Sequence, residues 1–309
     1  MTTPTPIPEE FARLTAALHG EAGRAWLRAL PSLVAGCAAR WSLKVGPPFL
    51  PLSYNYAAPA EGPRGERLVL KLGVPGAELL NEAEALRLFD GRGAARLVGS
   101  DAGSGALLLE RLEPGASLVA LCEEDDGAAT AAAAGVMRKL RRDAPPGHAF
   151  PTAADWLSGF GKLRARFGGG CGPFPPRLLE EAETLSAELL ASAARPALIH
   201  GDLHHGNVLA AGRAPWLAID PKGLVAEPAY EVGALLRNPL PQLLGFPRPV
   251  EVTERRVAIL SDELGLERAR VRGWGLAQAV LSAWWAVEDV GELRESDLAV
   301  AEVIAASKA

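Results

Sequence analysis

Apolar positions recur every three or four residues in several long stretches of this chain, which is the spacing of an amphipathic helix. The first stretch, residues 8–40, is interrupted by Gly20 and Pro31, so we expect two or three short helices there. Beyond residue 121 the same periodicity predicts a largely helical chain, over residues 122–142, 155–167, 176–194, 250–264, 268–290 and 296–306. Gly291 is the predicted stop of the helix at 268–290, and Ser296 the predicted N-cap of the last helix.

Short apolar runs predict strands in the first part of the chain, at residues 41–45, 53–58, 67–72 and 107–112. The last run ends in Glu113-Pro114-Gly115, a natural hinge, and the composition beyond it becomes rich in alanine. We therefore predict an α+β protein of two lobes. The first lobe, residues 1–112, combines the leading helices with a sheet, and the second, residues 113–309, is mostly helical.

Two further short strands, residues 207–209 and 216–219, flank a turn of Gly, Arg, Ala and Pro, a pattern typical of a β-hairpin. A hairpin folded at residues 213–214 places Asn207 directly opposite Asp220. Opposed side chains have Cβ atoms about 5 Å apart, so an amide oxygen and a carboxylate there can share one hard divalent cation. For phosphate chemistry that cation is expected to be Mg²⁺, held by few protein ligands together with water and substrate phosphates.

Asp202 lies five residues before Asn207, in the loop that leads into the hairpin. Phosphoryl transfer requires a carboxylate to orient the attacking hydroxyl and accept its proton, metal ligands, and cationic clamps. Asp202 is the candidate for the first role, and Asn207 and Asp220 for the second. Two other interpretations are weaker. The acids could be turn caps, and zinc could bind the three histidines of this segment, although neither a cysteine partner nor a His-Glu-x-x-His pattern accompanies them; the three are His200, His204 and His205.

Two segments resemble the aminoglycoside phosphotransferases, in particular the streptomycin 6-kinase and hydroxyurea kinase group. They read Leu-Ile-His-Gly-Asp-Leu-His-His-Gly-Asn-Val-Leu (residues 198–209) and Trp-Leu-Ala-Ile-Asp-Pro-Lys-Gly-Leu-Val (residues 216–225). The spacing His-x-Asp-x-x-x-x-Asn followed by Ile-Asp is also similar to the protein-kinase catalytic loop, with Gly201 in place of its arginine. The resemblance implies a protein-kinase-like fold, ATP as phosphate donor with Mg²⁺, and Asp202 as the catalytic base.

The same resemblance implies roles for residues of the first lobe. Lys71 lies on the predicted strand at 67–72, and in kinase-like folds a lysine at this place contacts the α and β phosphates and pairs with a glutamate of the next helix. That helix is expected over residues 76–89, where Glu82 fits better than Glu84, although both could be solvated helix charges. Lys71 is thus a candidate for catalysis and for nucleotide binding, with Glu82 as its partner.

By similarity, the adenine edge would be bound by backbone groups of residues 110–112, which makes Glu110 and Leu112 nucleotide-binding candidates. Two places depart from the kinase pattern. Proline-rich residues 47–51 replace the glycine-rich phosphate loop, so no residue of that loop is nominated. Glu227 and Glu231 stand where similar kinases usually carry aspartates, which makes the roles of these two acids less certain.

The formal net charge of −5 argues against general nucleic-acid binding. Three cysteines lie far apart, which predicts neither a disulfide framework nor a metal cluster. Residues 1–10 lack the features of an export signal, and no apolar run reaches the ~18 residues that span a bilayer. We expect a cytoplasmic enzyme with a small-molecule acceptor, no membrane attachment and no protein partner.

A cationic acceptor is expected to bind at the C-terminal helices. Trp285, Glu288, Asp289 and Glu292 follow the spacing i, i+3, i+4, i+7 of one helix face. Guanidinium or ammonium groups suit carboxylates beside an aromatic ring. The alternative is a solvated acidic face with no ligand. His204 is a further candidate for substrate contact, although it could instead be structural.

Taken together, these features predict an aminoglycoside O-phosphotransferase similar to streptomycin 6-kinases. One alternative is a kinase for hydroxyurea or another small metabolite. Another is a catalytically silent nucleotide-binding module, which the joint presence of Lys71, Asp202, Asn207 and Asp220 disfavours. The sequence leaves open the acceptor, the choice between ATP and GTP, and the oligomeric state.

Overall fold

The computed structural model describes residues 7–309, so residues 1–6 of the N-terminal segment examined for an export signal lie outside it. Internal contacts divide the chain into two units. The first comprises the chain through Gly91 together with Ala95–Leu112, and the second comprises Arg92–Ala94 and Glu113–Ala309. The short segment Arg92–Ala94 belongs to the second unit, where Ala94 forms a bridge with Ala218.

The first unit contains an antiparallel five-stranded sheet in the order β1-β2-β3-β5-β4. Its strands are β1 (Lys44–Val45), β2 (Tyr56–Glu61), β3 (Arg67–Leu72), β4 (Leu97–Asp101) and β5 (Ala106–Glu110). The strand predicted at 67–72 is confirmed. Only the last two residues of the strand predicted at 41–45 are extended, because the preceding helix continues to Trp41 and Ser42 turns the chain with φ 53°. The strand predicted at 53–58 begins three residues later.

Two helices complete the first unit, α1 (Glu9–Trp41) and α2 (Ala77–Phe89). Helix α1 is interrupted at Gly20, where φ is 55° and ψ is −130°, whereas Pro31 lies inside the helix without ending it. The helices predicted over residues 8–40 are therefore two, joined at Gly20. Phe11 and Trp26 of α1 belong to one buried apolar cluster with Leu70 of β3, so burial of this face against the sheet stabilises the long helix.

The second unit is mostly helical. Its helices are α3 (Leu118–Glu124), α4 (Asp126–Leu140), α5 (Ala153–Leu157), α6 (Gly159–Arg166), α7 (Pro176–Ala191), α8 (Val232–Leu236), α9 (Gln242–Gly245), α10 (Pro249–Leu264), α11 (Arg268–Val290) and α12 (Glu295–Ala306). Its strands form the sheets β6-β8-β9 and β10-β7, with β6 (Pro114–Ser117), β7 (Ala197–Ile199), β8 (Val208–Ala211), β9 (Ala214–Ala218) and β10 (Leu224–Ala226). Among the described residues no helix is long and apolar enough to cross a membrane.

Helix boundaries in the second unit follow local capping. The helix predicted at 122–142 is divided at Asp125, whose side chain accepts a hydrogen bond from the N–H of Ala128 at 2.9 Å and begins α4. Gly291 ends α11 with φ 80°, as predicted. The predicted cap Ser296 is wrong, because α12 begins one residue earlier and Arg294 is its N-cap.

The interruption of α1 generates a stability prediction. A β-carbon added at Gly20 meets nothing within 4 Å, so only the backbone conformation opposes a side chain there. Gly20→Ala should lower the free energy of unfolding by about 1–3 kcal/mol, the range for a strained backbone conformation. Gly36 is a matched control, since it lies inside α1 with equally open space around it. Gly36→Ala should instead raise stability by about 0.5–1 kcal/mol. Urea unfolding of both variants measures the difference, and a Gly20→Ala variant as stable as the wild type would contradict this account of the kink.

Candidate active site

The β8–β9 hairpin sets the positions of two candidate metal ligands. The two strands are antiparallel, and the register shifts between Ala210 and Ala211. The turn lies at residues 212–213, one residue earlier than predicted, since Ala211 pairs with Ala214, and the bulge then adds one residue to β9. Asn207 therefore lies opposite Ile219, whose N–H donates to the carbonyl of Asn207 at 2.9 Å. The predicted pairing of Asn207 with Asp220 is therefore wrong by one residue. Asp220 follows directly, in the left-handed region with φ 57°.

The two candidate ligands still offer a suitable donor set. The amide Nδ2 of Asn207 donates to the carbonyl of Asp202 at 3.0 Å, an orientation that leaves the amide oxygen for a ligand. Asp220 adds a carboxylate one residue beyond the partner of Asn207. One amide oxygen and one carboxylate suit a hard cation that keeps several waters and binds substrate phosphates. The residues present therefore fit Mg²⁺.

His200 ties the loop before the hairpin to the end of β9. Its ring is fully buried. Nε2 lies 2.8 Å from the carbonyl of Ile219, and Nδ1 accepts a hydrogen bond from the N–H of Asp202 at 3.2 Å. Burial lowers the pKa of His200 to about 4, so the ring is neutral near pH 7, with its proton on Nε2. Both nitrogens are used to hold the loop, which is a structural role.

Glu231 holds the same loop from behind. Its buried carboxylate accepts hydrogen bonds from the N–H of His200 at 2.6 Å and of Gly201 at 3.0 Å. Burial raises the pKa of Glu231 to about 7, although these backbone donors act in the opposite direction. Glu227 has a different role, because it pairs with Arg270 at 2.6 Å. The structure therefore separates the two glutamates, and only Glu231 contacts the loop.

The side chain of Asp202 is 23% exposed and forms an ion pair with Arg237, at 2.9 Å between Oδ1 and the guanidinium. Its other oxygen, Oδ2, lies 3.9 Å from Nε2 of His204. Burial acts to raise the pKa of Asp202, but the positive charge of Arg237, with smaller contributions from His204 and Lys222, outweighs burial and lowers it. Asp202 is thus a carboxylate at neutral pH. Sequence reasoning missed Arg237; the available signal was a cation directly after the apolar run of α8.

The other two histidines differ from His200. His204 accepts a hydrogen bond from the N–H of Gly206 at 3.0 Å through Nδ1, so it caps the short 3-10 turn of residues 205–207. His205 is fully buried, and among the described residues neither of its nitrogens has a hydrogen-bond partner. Ligand atoms of His205, Cys122 and Asp126 lie within 4.8 Å of one another.

This buried cluster already contains a cation. The guanidinium of Arg256 lies 2.6 Å from a carboxylate oxygen of Asp126 and donates to the sulfur of Cys122 at 3.4 Å. Burial raises the pKa of Cys122 to about 11, so the thiol is protonated. A protonated thiol and a carboxylate bound to arginine are poor zinc ligands. Arg256 therefore neutralises Asp126.

In the first unit, Lys71 and Glu82 form the predicted ion pair. The ammonium group lies 2.8 and 2.7 Å from the two carboxylate oxygens, and both side chains are almost fully buried. Glu84 points elsewhere, since it is about half exposed and pairs with Arg87 of its own helix. Lys71 lies on the central strand β3 and Glu82 on α2.

The backbone proposed for adenine recognition is partly used within the sheet. The N–H of Glu110 donates to the backbone carbonyl of Arg96 at 2.9 Å, and the N–H of Arg111 donates to the backbone carbonyl of Arg67 at 3.1 Å. The Glu110 side chain accepts from the N–H of Arg96 at 3.0 Å. These bonds occupy two of the candidate donors, so the backbone of Leu112 is the better candidate for an adenine contact.

Only three of the four residues predicted on one face of α11 belong to the helix. Because the helix ends at Val290, Glu292 lies beyond it, and its predicted position is wrong. Glu288 pairs with Lys162 at 3.3 Å, whereas the ring of Trp285 packs edge-on against Trp156, with centroids 5.4 Å apart. Asp289 is exposed.

Trp156 connects this surface with the catalytic loop, and sequence reasoning missed it. A β-carbon added at Gly201 would lie 3.2 Å from the tip of the Trp156 ring. Gly201 also has φ 87°, a conformation that favours glycine. Trp156 and Trp285 are both partly exposed, so an aromatic corner adjoins the residue before Asp202.

The sequence profile of the aminoglycoside/hydroxyurea antibiotic resistance kinases matches residues 57–291. The chain belongs to this family. The resemblance based on the two motif segments is thereby confirmed, and with it the prediction of a small-molecule kinase.

Three individual proteins illustrate the similarity. Hydroxyurea phosphotransferase of Kitasatospora aureofaciens is 38% identical over 307 residues, which cover 96% of this chain and 85% of that protein. Streptomycin 6-kinase of Streptomyces glaucescens is 34% identical over 292 residues, covering 92% and 91%. The solved structure of a choline/ethanolamine kinase family protein from Mesorhizobium loti aligns with a TM-score of 0.64 at 16% identity, covering 89% and 95%. The predicted protein-kinase-like fold is confirmed.

The environments of the two glutamates on α2 predict different responses to mutation. Glu82→Gln should lower the free energy of unfolding on the order of 3 kcal/mol, because it breaks a buried ion pair by removing one of its two charges. Glu84→Gln, the matched control, should change it by less than about 0.5 kcal/mol, since an exposed pair contributes little. Urea denaturation of both variants tests the difference. Equal changes in the free energy of unfolding would show that the buried ion pair contributes no more to stability than the exposed one.

Proposed function

We propose that this kinase transfers the γ-phosphate of ATP to a hydroxyl group of an aminoglycoside, with Mg²⁺ as the metal. The observation that carries the proposal is the arrangement around Asp202. Its side chain is an ionised carboxylate, and its backbone carbonyl accepts a hydrogen bond from the candidate metal ligand Asn207. Membership of the antibiotic resistance kinase family narrows the acceptor class.

Each unit contains residues with a proposed role toward the nucleotide. Lys71, fixed by Glu82, supplies the positive charge for the α and β phosphates. Asn207 and Asp220 would hold Mg²⁺, which, when bound, neutralises the charge that develops on the phosphate oxygens. Leu112 is the proposed backbone contact for adenine.

In the transfer step, the acceptor hydroxyl oxygen forms a bond to the γ-phosphorus while the bond to the β-γ bridging oxygen breaks, and ADP leaves. The hydroxyl proton moves to the carboxylate of Asp202. Because Oδ1 is held by Arg237, Oδ2 is the oxygen proposed to accept the proton. His204, 3.9 Å from Oδ2, borders the same position and is a candidate acceptor contact.

On the acceptor side, we extend the expected surface to Trp156. The corner of Trp156 and Trp285 offers ring surface to a cation or a sugar face, and exposed Asp289 adds a carboxylate nearby in sequence. Glu288 is the other acidic candidate, and it pairs with Lys162 at 3.3 Å.

Hydroxyurea is the second candidate acceptor. The relative at 38% identity is named a hydroxyurea phosphotransferase, and the streptomycin 6-kinase relative is 34% identical. Hydroxyurea is small and neutral, so it would make little use of an acidic surface. Charge dependence therefore distinguishes the two acceptors.

An acceptor panel tests the proposed activity. Wild-type protein with Mg²⁺·ATP should phosphorylate a streptomycin-type aminoglycoside, with phosphorylated acceptor and ADP formed in equal amounts. Asp202→Asn should lower kcat by about 10²-fold or more while nucleotide binding persists, because the general base is lost. Product analysis by mass spectrometry and nucleotide titration measure both effects. Phosphorylation of hydroxyurea alone would assign the second acceptor, and an Asp202→Asn variant with near wild-type kcat would remove Asp202 from catalysis.

The acidic surface gives a second test. Asp289→Asn should raise the KM for a cationic acceptor severalfold and leave the nucleotide KM unchanged, and added salt should reproduce the effect by screening. Glu288→Gln should have the same effect. Steady-state kinetics over a salt series measure both. Unchanged acceptor KM values with an active aminoglycoside would identify this face as solvated helix surface.

A further inference from the structure

Arg237 occupies a constrained position beside the proposed base. It follows α8, whose five residues are all buried, and its own N–H donates to the carbonyl of Gly233 at 3.2 Å. The side chain is 18% exposed, and its Nε is buried without a hydrogen-bond partner among the described residues. Burial of the side chain leaves the guanidinium few alternative orientations, and its hydrogen bond to Asp202 selects among them.

The contact with Asp202 is made at one oxygen. The guanidinium donates to Oδ1 at 2.9 Å, and a charge-assisted bond of this length is strong and directional. The Asp202 backbone is held independently, since its N–H donates to His200 and its carbonyl accepts from Asn207. With the backbone held from two sides and Oδ1 from a third, the carboxylate plane is defined. Oδ2 is then presented in one direction.

We propose that Arg237 is a positioning residue that orients the Asp202 carboxylate so that Oδ2 meets the acceptor hydroxyl. The inference rests on the proposed function, in which Asp202 accepts the hydroxyl proton. Arg237 does not touch the reacting atoms; it acts through Asp202. Misplacement of a reacting group by about 1 Å can cost about 10²-fold in rate, so loss of this contact should reduce kcat far more than it reduces binding.

Kinetics of three variants test the role. Arg237→Met should lower kcat by about 10²-fold, while the KM values for acceptor and nucleotide stay within about twofold of wild type. Millimolar guanidinium should restore at least about tenfold of the lost kcat, whereas sodium chloride at equal ionic strength should not. Arg237→Lys should give an intermediate kcat, because an ammonium group supplies charge without the planar fork.

Arg270→Met is the matched control. Arg270 is also 18% exposed and also pairs with a buried carboxylate, that of Glu227, but it does not contact the catalytic loop. This variant should lower Tm, keep kcat per folded molecule within about twofold of wild type, and show no response to guanidinium. If Arg237→Met fails to fold, Arg237→Lys tests the role instead, through a lowered kcat with unchanged KM values.

The outcomes separate the two hypotheses. An active wild type with kcat for Arg237→Met within about threefold of normal would overturn the positioning role alone. So would a kcat loss that guanidinium does not restore and that Arg270→Met reproduces. A wild type that phosphorylates no acceptor, or an Asp202→Asn variant with full activity, would instead overturn the proposed function.

Discussion

The catalytic loop depends on one carboxylate buried behind it. Glu231 accepts hydrogen bonds from the backbone N–H groups of His200 and Gly201. The ring of His200 in turn donates to the carbonyl of Ile219. Burying this carboxylate is costly, as its pKa of about 7 shows. The hydrogen bonds of the loop offset that cost, so the loop conformation and the charge of the acid stabilise each other. The orientation of Asp202 depends on this arrangement.

Three histidines within six residues of sequence have three different environments. His200 uses both ring nitrogens in hydrogen bonds, His204 caps a short turn through one, and both nitrogens of His205 are buried without a described partner. Burial is the largest cause of the lowered pKa in all three. Their chemistry follows from position on the loop and not from residue type, so sequence reasoning could not separate them.

Much of the fold follows from local sequence patterns. β3, α2 and α11 were predictable because periodicity and end signals agree within each element. The hairpin register was not, because the turn lies at residues 212–213, one residue earlier than predicted, and a bulge then moves the partner of Asn207 from residue 218 to residue 219. Ion pairs between residues far apart in the sequence could not be predicted either. Examples are Lys162 with Glu288 and Arg237 with Asp202. The spacing along one helix cannot reveal a partner on another element.

The ring of Trp156 against Gly201 restricts which residue can precede Asp202. In protein kinases, phosphorylation of a neighbouring segment orders the active site by creating new pairs with arginine side chains. Position 201 has no side chain for such a pair, and both its φ of 87° and the indole beside it oppose the introduction of one. The loop is instead held by hydrogen bonds from its own backbone to Glu231 and to the ring of His200. A side chain introduced at position 201 would disturb both the loop conformation and the packing of Trp156, directly before the proposed base.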